Sequence, residues 1–110
     1  MEKVLETERT YLRKLSVDDA KNFFDFVFNC AAYTAVDAAE SSLEIAYMIN
    51  SKAVRIIAEE CKKQNAILIH ISTDYVFDGK NFKPYCEEFQ TNPQGVYGKT
   101  KLDGENEMRD

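Results

Sequence analysis

The sequence predicts an α/β fold built on a parallel sheet. Two short runs, at residues 26–30 and 66–71, are almost continuously apolar, which is typical of strands buried in a parallel sheet. Between them, over residues 37–63, apolar side chains recur mostly every three or four positions, which is the period of a helix. Because parallel strands need a helical crossover between them, these three segments predict one βαβ unit.

The composition indicates one ordinary globular domain. The chain has 110 residues, of which 45% are apolar and 30% charged, enough for one hydrophobic core but too few for two. The net charge of −5 and the lack of a Lys/Arg run exclude nucleic acid and membrane surfaces as expected partners. The cysteines form no CxxC pair, the only histidine sits in an apolar run, and no apolar stretch is long enough for a bilayer. We therefore expect a cytoplasmic protein without disulfides or metal.

Signals before the first predicted strand are weaker. Residues 10–15 mix aliphatic, aromatic and basic side chains and give a weak strand prediction. Ser16 is a typical helix N-cap, since Asp18 and Asp19 would lie in the first turn. The end of this helix is unmarked, because residues 26–30 are aromatic and β-branched and favour a strand.

The segments after the second strand predict a loop and a last helix. Glycine and proline recur through residues 78–95, which indicates a loop, and a helix follows over residues 96–109. Gly98 and Gly104 within this helix would each cost about 1 kcal/mol relative to Ala. We therefore expect both glycines to permit close packing.

Tyr97 and Lys101 are the first candidates for chemistry. On a helix they lie four positions apart and share a face. A neighbouring ammonium favours the phenolate and lowers the phenol pKa, and such a tyrosine can protonate the alkoxide formed when hydride reaches a ketone. Taken alone, the pair is better interpreted as two solvated side chains of a surface helix.

Two further candidates follow the predicted strands, where ligands of open parallel sheets bind. Thr73 follows the second strand, and its hydroxyl is suited to donate to a substrate carbonyl. The alternative is a Ser/Thr/Asp turn that satisfies local backbone. After the first strand, the small Ala31 and Ala32 would let a flat ligand approach the backbone. The alternative there is a plain loop capped by Thr34 or Asp37.

Several strings, in this order, resemble those of dTDP-4-dehydrorhamnose reductases, which are extended short-chain dehydrogenases/reductases. They are NCAAYTAVDAAE, AYMINSKA, HISTDYVFDG, Pro84-Tyr85 and TNPQGVYGKTKLDGE, and the resemblance covers residues 26–110. It implies a partial Rossmann-like parallel sheet, NADPH or NADH as cofactor, and a dTDP-sugar as partner. The implied reaction reduces the 4-keto group of a dTDP-6-deoxy sugar to give dTDP-L-rhamnose.

The resemblance also implies roles for single residues. Tyr97 would donate the proton, Thr73 would polarise the ketone, and Lys101 would bind the nicotinamide ribose and tune Tyr97. Asn50 would support the helix that carries Tyr97 and Lys101. The cofactor would be contacted by Ala31, Ala32, Tyr33, Tyr97 and Lys101, and the substrate by Val36, Asp37, Thr73, Asp74 and Tyr75.

The sequence departs from this family at both ends of the matched region. Its four glycines begin at Gly79, so no glycine-rich turn precedes the first strand to hold a pyrophosphate. No counterpart of the family's C-terminal sugar-binding lobe follows the last helix. We therefore expect a sheet truncated at both ends and an isolated chain without activity. The alternative is a non-catalytic module, or a regulatory or assembly subunit of the same fold, that forms a homo-oligomer through exposed sheet edges.

Residues 1–25 differ in character from the rest. From Leu5 to Phe26 the sequence resembles the opening strand and helix of an N-acetyltransferase that modifies ribosomal proteins. This second resemblance includes no catalytic or acetyl-CoA-binding residue and implies no activity. We expect residues 1–25 to be an unrelated strand-plus-helix segment, and residues 26–110 to be the internal part of a Rossmann-like reductase domain.

Overall fold

The computed structural model describes the backbone of residues 3–6 and 11–13, and residues 26–109 with their side chains. Strands β1 (Lys3–Glu6) and β2 (Tyr11–Arg13) pair antiparallel in a two-stranded sheet of their own. The strand predicted within residues 10–15 is therefore confirmed. The helix predicted from Ser16 lies outside the described residues.

The second sheet confirms the predicted parallel pair. Strands β3 (Phe26–Asn29) and β4 (Ile67–His70) are parallel neighbours, paired from Phe26 with Ile67 to Asn29 with His70. The Ile71 N–H continues the ladder by donating to the Asn29 carbonyl at 3.3 Å. This register places the last side chains of both strands next to each other at the carboxyl edge.

The crossover is helical, but the prediction of one unbroken helix over residues 37–63 was wrong. A short helix α1 (Val36–Ala39) ends in a turn, and a continuous helical stretch runs from residue 43 to 63. The Ser41 hydroxyl and N–H both donate to the Ala38 carbonyl, and such local bonds compete with helix continuation. The stretch consists of α2 (Leu43–Tyr47), a π-helical turn (Met48–Lys52) and α3 (Ala53–Lys63).

The last helix, α4 (Val96–Asn106), packs closely on two other segments. A Cβ atom on Gly98 would overlap the Tyr75 carbonyl in the 3₁₀ turn Asp74–Val76, and one on Gly104 would overlap the Asn50 carbonyl in the π-helical turn. The close packing expected of both glycines is confirmed. Within the described ranges, no helix combines the length and hydropathy needed to cross a membrane.

The expectation that both strands are buried was wrong for one face of the sheet. Phe26, Phe28 and Ile67 are 53%, 67% and 55% exposed, while Leu68 lies beside α3 on the second face. In the described part of the chain, helices cover only this second face, and the sheet has only two strands. Several apolar side chains predicted to lie on the buried side of the crossover helix are exposed as well: Leu43, Met48, Ile49 and Ile56.

Candidate active site

Tyr97 lies in the first turn of α4, and its hydroxyl is unpaired. The start of this helix is fixed by the Glu40 carboxylate, which accepts the Val96 N–H at 2.8 Å. The Tyr97 ring meets the Tyr75 ring edge to face, with 5.5 Å between centroids. The Tyr97 hydroxyl makes no hydrogen bond with any residue of the range 26–109. The phenol is therefore available to an incoming ligand.

Four of the predicted site residues line one pocket. Val36, Asp74, Tyr75 and Tyr97 border a cavity of about 390 Å³ between α1, the 3₁₀ turn and α4. The cavity is formed at the carboxyl edge of the sheet, because β4 leads directly into the 3₁₀ turn. The structure thus brings the predicted proton donor together with three residues predicted to approach the substrate.

The Thr73 hydroxyl caps the 3₁₀ turn beside this pocket. Its Oγ1 accepts the Tyr75 N–H at 3.2 Å and lies 3.4 Å from an Asp74 carboxylate oxygen. These contacts are those of the alternative interpretation, in which a Ser/Thr/Asp turn satisfies local backbone. They leave one lone pair of the Thr73 hydroxyl free. The Thr73 hydroxyl proton, which points to Asp74, can be redirected by rotation about the Cβ–Oγ1 bond.

Lys101 is buried at the end of β4 and does not contact the Tyr97 hydroxyl. It is 1% exposed, and its Nζ donates to the Ile71 carbonyl at 2.5 Å and lies 3.2 Å from His70 Nε2. Burial lowers the Lys101 pKa, and the charge of Glu105 opposes this effect. Burial and the neighbouring Lys101 charge also lower the His70 pKa.

Asn50 joins the loop after β3 to α4. Its Oδ1 accepts the Tyr33 N–H at 2.8 Å, and its Nδ2 donates to the Tyr33 carbonyl and to Thr100 Oγ1, both at 3.1 Å. The Thr100 hydroxyl donates in turn to the Tyr97 carbonyl at 3.0 Å. The Asn50 side chain is fully buried, and both its amide hydrogens and its oxygen are used. The network therefore fixes the position of Tyr97 relative to Tyr33.

The remaining predicted residues lie on the same edge but outside the pocket. The Ala31 N–H donates to Asn29 Oδ1 at 3.1 Å, and Ala31 is exposed while Ala32 and Tyr33 are half-buried. Asp37 is exposed on α1 and does not line the cavity. The structure brings the loop close to α4 through Asn50 without placing Asp37 beside Tyr97.

The Pro84-Tyr85 pair orders the loop next to the pocket. The Tyr85 hydroxyl accepts the Asn81 N–H and donates to an Asp78 carboxylate oxygen, both at 3.0 Å. Its ring stacks on Phe77 with 4.4 Å between centroids. The Lys80 N–H and the Tyr85 hydroxyl hold the Asp78 pKa below its usual value. Phe77 and Asp78 also line the pocket, so this loop shapes its wall.

Sequence reasoning missed four residues that position the site: Asn29, His70, Glu40 and Thr100. His70 is the single histidine of the sequence and stands in an apolar run, and a polar side chain in such a run is the signal that was available. The other three carried no signal by themselves. Their roles depend on the strand register and on contacts between segments far apart in sequence, such as the 56 positions between Glu40 and Val96.

Comparisons with known proteins give one consistent result. The family model for the RmlD substrate binding domain matches residues 7–110. The dTDP-4-dehydrorhamnose reductase of Sinorhizobium fredii is 49% identical over 81 residues, which is 74% of this chain and 27% of the relative. That of Escherichia coli is 46% identical over 86 residues, which is 78% of this chain and 29% of the relative. The chain thus spans less than a third of the length of these relatives.

Solved structures support the same fold. A dTDP-4-dehydrorhamnose reductase from Clostridium acetobutylicum superimposes with a TM-score of 0.76 at 46% identity, covering 77% of this chain and 30% of that one. One from Bacillus anthracis, in complex with NADP, gives 0.76 at 39% identity with the same coverage. A UDP-glucuronic acid 4-epimerase from Bacillus cereus, in complex with NAD, gives 0.71 at 26% identity, covering 84% and 30%. The predicted partial Rossmann-like α/β fold is confirmed.

Proposed function

The chain belongs to the RmlD substrate binding domain family, and we propose that residues 26–110 supply the catalytic residues of an NAD(P)H-dependent reductase. The substrate would be a dTDP-4-keto-6-deoxy sugar and the product dTDP-L-rhamnose. The observation that carries this proposal is the unpaired Tyr97 hydroxyl at a pocket, with Thr73 and Lys101 at the same strand edge. The names of the relatives support the choice of substrate.

In this reaction the cofactor would supply hydride to the ketone carbon. Tyr97 would give its phenolic proton to the ketone oxygen, for which its hydroxyl has no competing partner in the range 26–109. Thr73 would turn its proton from Asp74 to the same oxygen and stabilise the developing charge. Because a hydroxyl accepts through its lone pairs, Thr73 would keep the Tyr75 N–H while it donates.

The residues at the strand edge fit the nicotinamide-ribose end of such a cofactor. Asn50 holds both backbone groups of Tyr33, so the loop after β3 is fixed and presents the small Ala31 and Ala32. A cofactor would approach the backbone there without a bulky side chain in its way. The Lys101 nitrogen contacts only the Ile71 carbonyl and His70 in the described ranges, which leaves one hydrogen for a ribose hydroxyl.

The substrate would occupy the pocket beside Tyr97. Val36, Asp74 and Tyr75 line it and would contact the sugar, while Asp37 on the exposed face of α1 would contact a more distant part of the ligand. Asn50 would act only through the backbone of Tyr33 and through Thr100, and would keep α4 in place.

The sharpest test places this segment in a complete reductase. Residues 26–110 would replace the matching segment of the Escherichia coli relative, and NADPH oxidation with the dTDP-keto-sugar would be followed. We expect turnover that Tyr97→Phe lowers about 100-fold or more, since general acid catalysis contributes about 10²–10⁴. Thr73→Val should lower kcat with a smaller effect on KM, because its bond strengthens in the transition state.

Tyr47→Phe is the matched control, because this exposed tyrosine of α2 lies outside the pocket. It should leave kcat unchanged. A folded chimera without turnover would contradict the proposal, and so would one in which Tyr97→Phe is as active as Tyr47→Phe. The first measurement on the 110-residue chain itself is an NADPH titration, followed by nicotinamide fluorescence. We expect no saturable binding, because no glycine precedes Gly79 to form a pyrophosphate turn.

The proposal also includes a domain boundary within the chain and a cellular compartment for the protein. The reductase-type part would begin near residue 26, although the family match begins at residue 7. Cys30, Cys61 and Cys86 are free, which agrees with a reducing compartment such as the cytoplasm. Limited proteolysis that cuts first near residue 26 would support this boundary, and cleavage only within residues 30–106 would contradict it.

A second candidate function is that of an assembly module, and the exposed sheet face favours it. Phe26, Phe28 and Ile67 form an apolar face on a parallel sheet, and such sheets are covered on both faces in stable proteins. We expect light scattering of the chain to give a mass above that of the monomer. A monomer at all concentrations would count against an assembly role.

A further inference from the structure

Helix α4, which carries Tyr97, has no cap from its own sequence. Its N-cap residue is Gly95, which has no side chain, and its first turn contains no acidic residue. The start of a helix leaves backbone N–H groups without partners and favours a negative charge beside them. The helix that carries the candidate proton donor therefore depends on another segment for both a cap and a charge.

Glu40 supplies both from 56 positions away in the sequence. It is the C-cap residue of α1, and its Oε1 accepts the Val96 N–H at 2.8 Å. The carboxylate thus pairs the first N–H of α4 and places a negative charge at the helix N-terminus. Within residues 26–109 this is the only hydrogen bond that joins α1 or its C-cap residue to α4.

Gly95 leaves room for this carboxylate. A Cβ atom at Gly95 would lie 2.9 Å from Glu40 Oε1, which is closer than such atoms approach in proteins. The Gly95 backbone is extended, with φ −110° and ψ 170°, so other residues could adopt its conformation. The glycine is therefore needed here for the space that it leaves to Glu40.

The two segments that Glu40 joins form two walls of the candidate pocket. Val36 of α1 and Tyr97 of α4 both line the cavity, whereas Glu40 does not. The bond from Glu40 to Val96 therefore acts on the distance between the two walls without touching a ligand in the pocket. The Asn50 network, in contrast, ties α4 to the loop after β3 and leaves the Val96 N–H to Glu40.

We propose that Glu40 is a positioning residue that caps α4 from α1 and thereby fixes Tyr97 relative to Val36 across the pocket. This inference rests on the proposed function, in which Tyr97 gives its proton to a sugar held against Val36. Proton transfer is sensitive to such geometry, since a misplacement of about 1 Å can cost about 100-fold in rate. Because Glu40 is exposed, its loss should displace the wall by less, and we expect an effect of about tenfold.

The first experiment is nuclear magnetic resonance of the ¹³C,¹⁵N-labelled 110-residue chain. In Glu40→Ala we expect the Val96 amide proton to exchange about tenfold faster, because it has lost its acceptor. The methyl signals of Val36 and the ring signals of Tyr97 should shift in the same variant. Unchanged exchange at Val96, or unmoved Val36 and Tyr97 signals, would overturn the inference.

Two further variants control this measurement. Glu40→Gln keeps an oxygen that accepts the Val96 N–H, so it should leave the signals of both walls nearly in place. Glu44→Ala removes an exposed glutamate of α2 whose side chain has no hydrogen bond or ion pair in the described ranges, and it should change nothing at α4. Displacement by Glu40→Gln as large as that by Glu40→Ala would contradict a role of the bond itself.

The second experiment separates the link between the walls from the helix cap. Gly95→Ser places a typical N-cap side chain at the start of α4, so the double variant Glu40→Ala/Gly95→Ser regains a cap without a bond to α1. The urea midpoint of the chain should fall in Glu40→Ala and recover in the double variant. The Val36 and Tyr97 signals should stay displaced. If these signals return together with the midpoint, Glu40 is only a helix cap and the inference is wrong.

The effect on the proposed reaction is measured in the chimera with the Escherichia coli relative. Glu40→Ala should lower kcat about tenfold with little change in KM, because the sugar still binds while Tyr97 is out of line. Glu40→Gln should keep most of kcat, and Glu40→Ala/Gly95→Ser should stay as slow as Glu40→Ala. An active chimera in which Glu40→Ala has the wild-type kcat would refute the positioning role. A folded chimera without turnover would contradict the proposed function alone, because the signals of the 110-residue chain decide on Glu40 independently.

Discussion

The interior of this molecule and the outer face of its β3–β4 sheet both differ from the pattern of most globular proteins. In the interior of the described part of the chain, five polar side chains are buried beside five apolar ones: Asn29 of β3, Asn50 and Ser51 of the π-helical turn, and Thr100 and Lys101 of α4. On the outer face of the β3–β4 sheet, large apolar side chains are exposed, with Phe28 at 67%. In most domains, aliphatic residues fill the core and asparagine and lysine stay outside.

The difference shows that two kinds of interaction hold the two regions. Four of these buried polar side chains are tied by directional bonds, such as the three that Asn50 makes to Tyr33 and Thr100, whereas the Ser51 hydroxyl has no partner among the described residues. Such networks specify one arrangement, because each unpaired member is costly. The outer face offers only non-directional apolar contact and adds no stability while it is exposed to water. Stability in the described part of the chain should therefore depend more on the polar junction than on the outer face.

Asn50→Leu should have the largest effect. The substitution removes three hydrogen bonds and leaves buried groups of Tyr33 and Thr100 without partners. Each such group costs about 1–3 kcal/mol, so we expect a loss of about 3 kcal/mol in the free energy of unfolding, measured with urea. Asn106→Leu, at an exposed asparagine of α4, is the control and should change this value by less than about 0.5 kcal/mol. Equal effects of both variants would show that the junction does not hold the fold.

Gly104→Ala should have the next largest effect. At an exposed helical position, replacing glycine by alanine stabilises by about 1 kcal/mol. At Gly104 the new methyl group would overlap the Asn50 carbonyl, and overpacking of this kind costs about 1–3 kcal/mol. The sign of the change in the urea midpoint therefore decides whether α4 is in contact with the π-helical turn. A stabilised variant would contradict this contact.

The elements of the fold were predictable from the sequence, whereas their burial was not. The periods of apolar residues over 26–30, 37–63 and 66–71 gave the strands, their parallel pairing and most of the crossover helix. The break after Ala39 depends on hydroxyl bonds that no period reveals. Exposure of Phe26 and Phe28 could not be predicted, because an apolar strand reads the same whether one or both of its faces are covered.

The residues of the candidate site were predictable from the sequence, whereas the contacts of their side chains were not. The motif spacing led to Tyr97, Thr73 and Lys101, because the resemblance to a known family rested on several strings in order. The contacts of the Lys101 side chain were not predictable, because a helix face shared with Tyr97 does not determine which groups the Lys101 nitrogen meets. The side chain meets the Ile71 carbonyl and His70 at the end of β4, which are contacts between segments about 30 positions apart in sequence.

Phe28→Thr should have the smallest effect on stability, and it tests the outer face of the β3–β4 sheet. Phe28 is 67% exposed, and the β-branched threonine favours a strand as phenylalanine does, so we expect the free energy of unfolding to change by less than about 0.5 kcal/mol. Val54→Thr is the matched substitution in the interior, where the side chain is fully buried, and a hydroxyl without a partner should cost about 1–3 kcal/mol there. If Phe28→Thr proved as costly as Val54→Thr, the outer face would be covered in solution, because only burial gives an aromatic side chain such a contribution. A concentration-dependent urea midpoint in the wild type, absent in Phe28→Thr, would then identify a second copy of the chain as the cover.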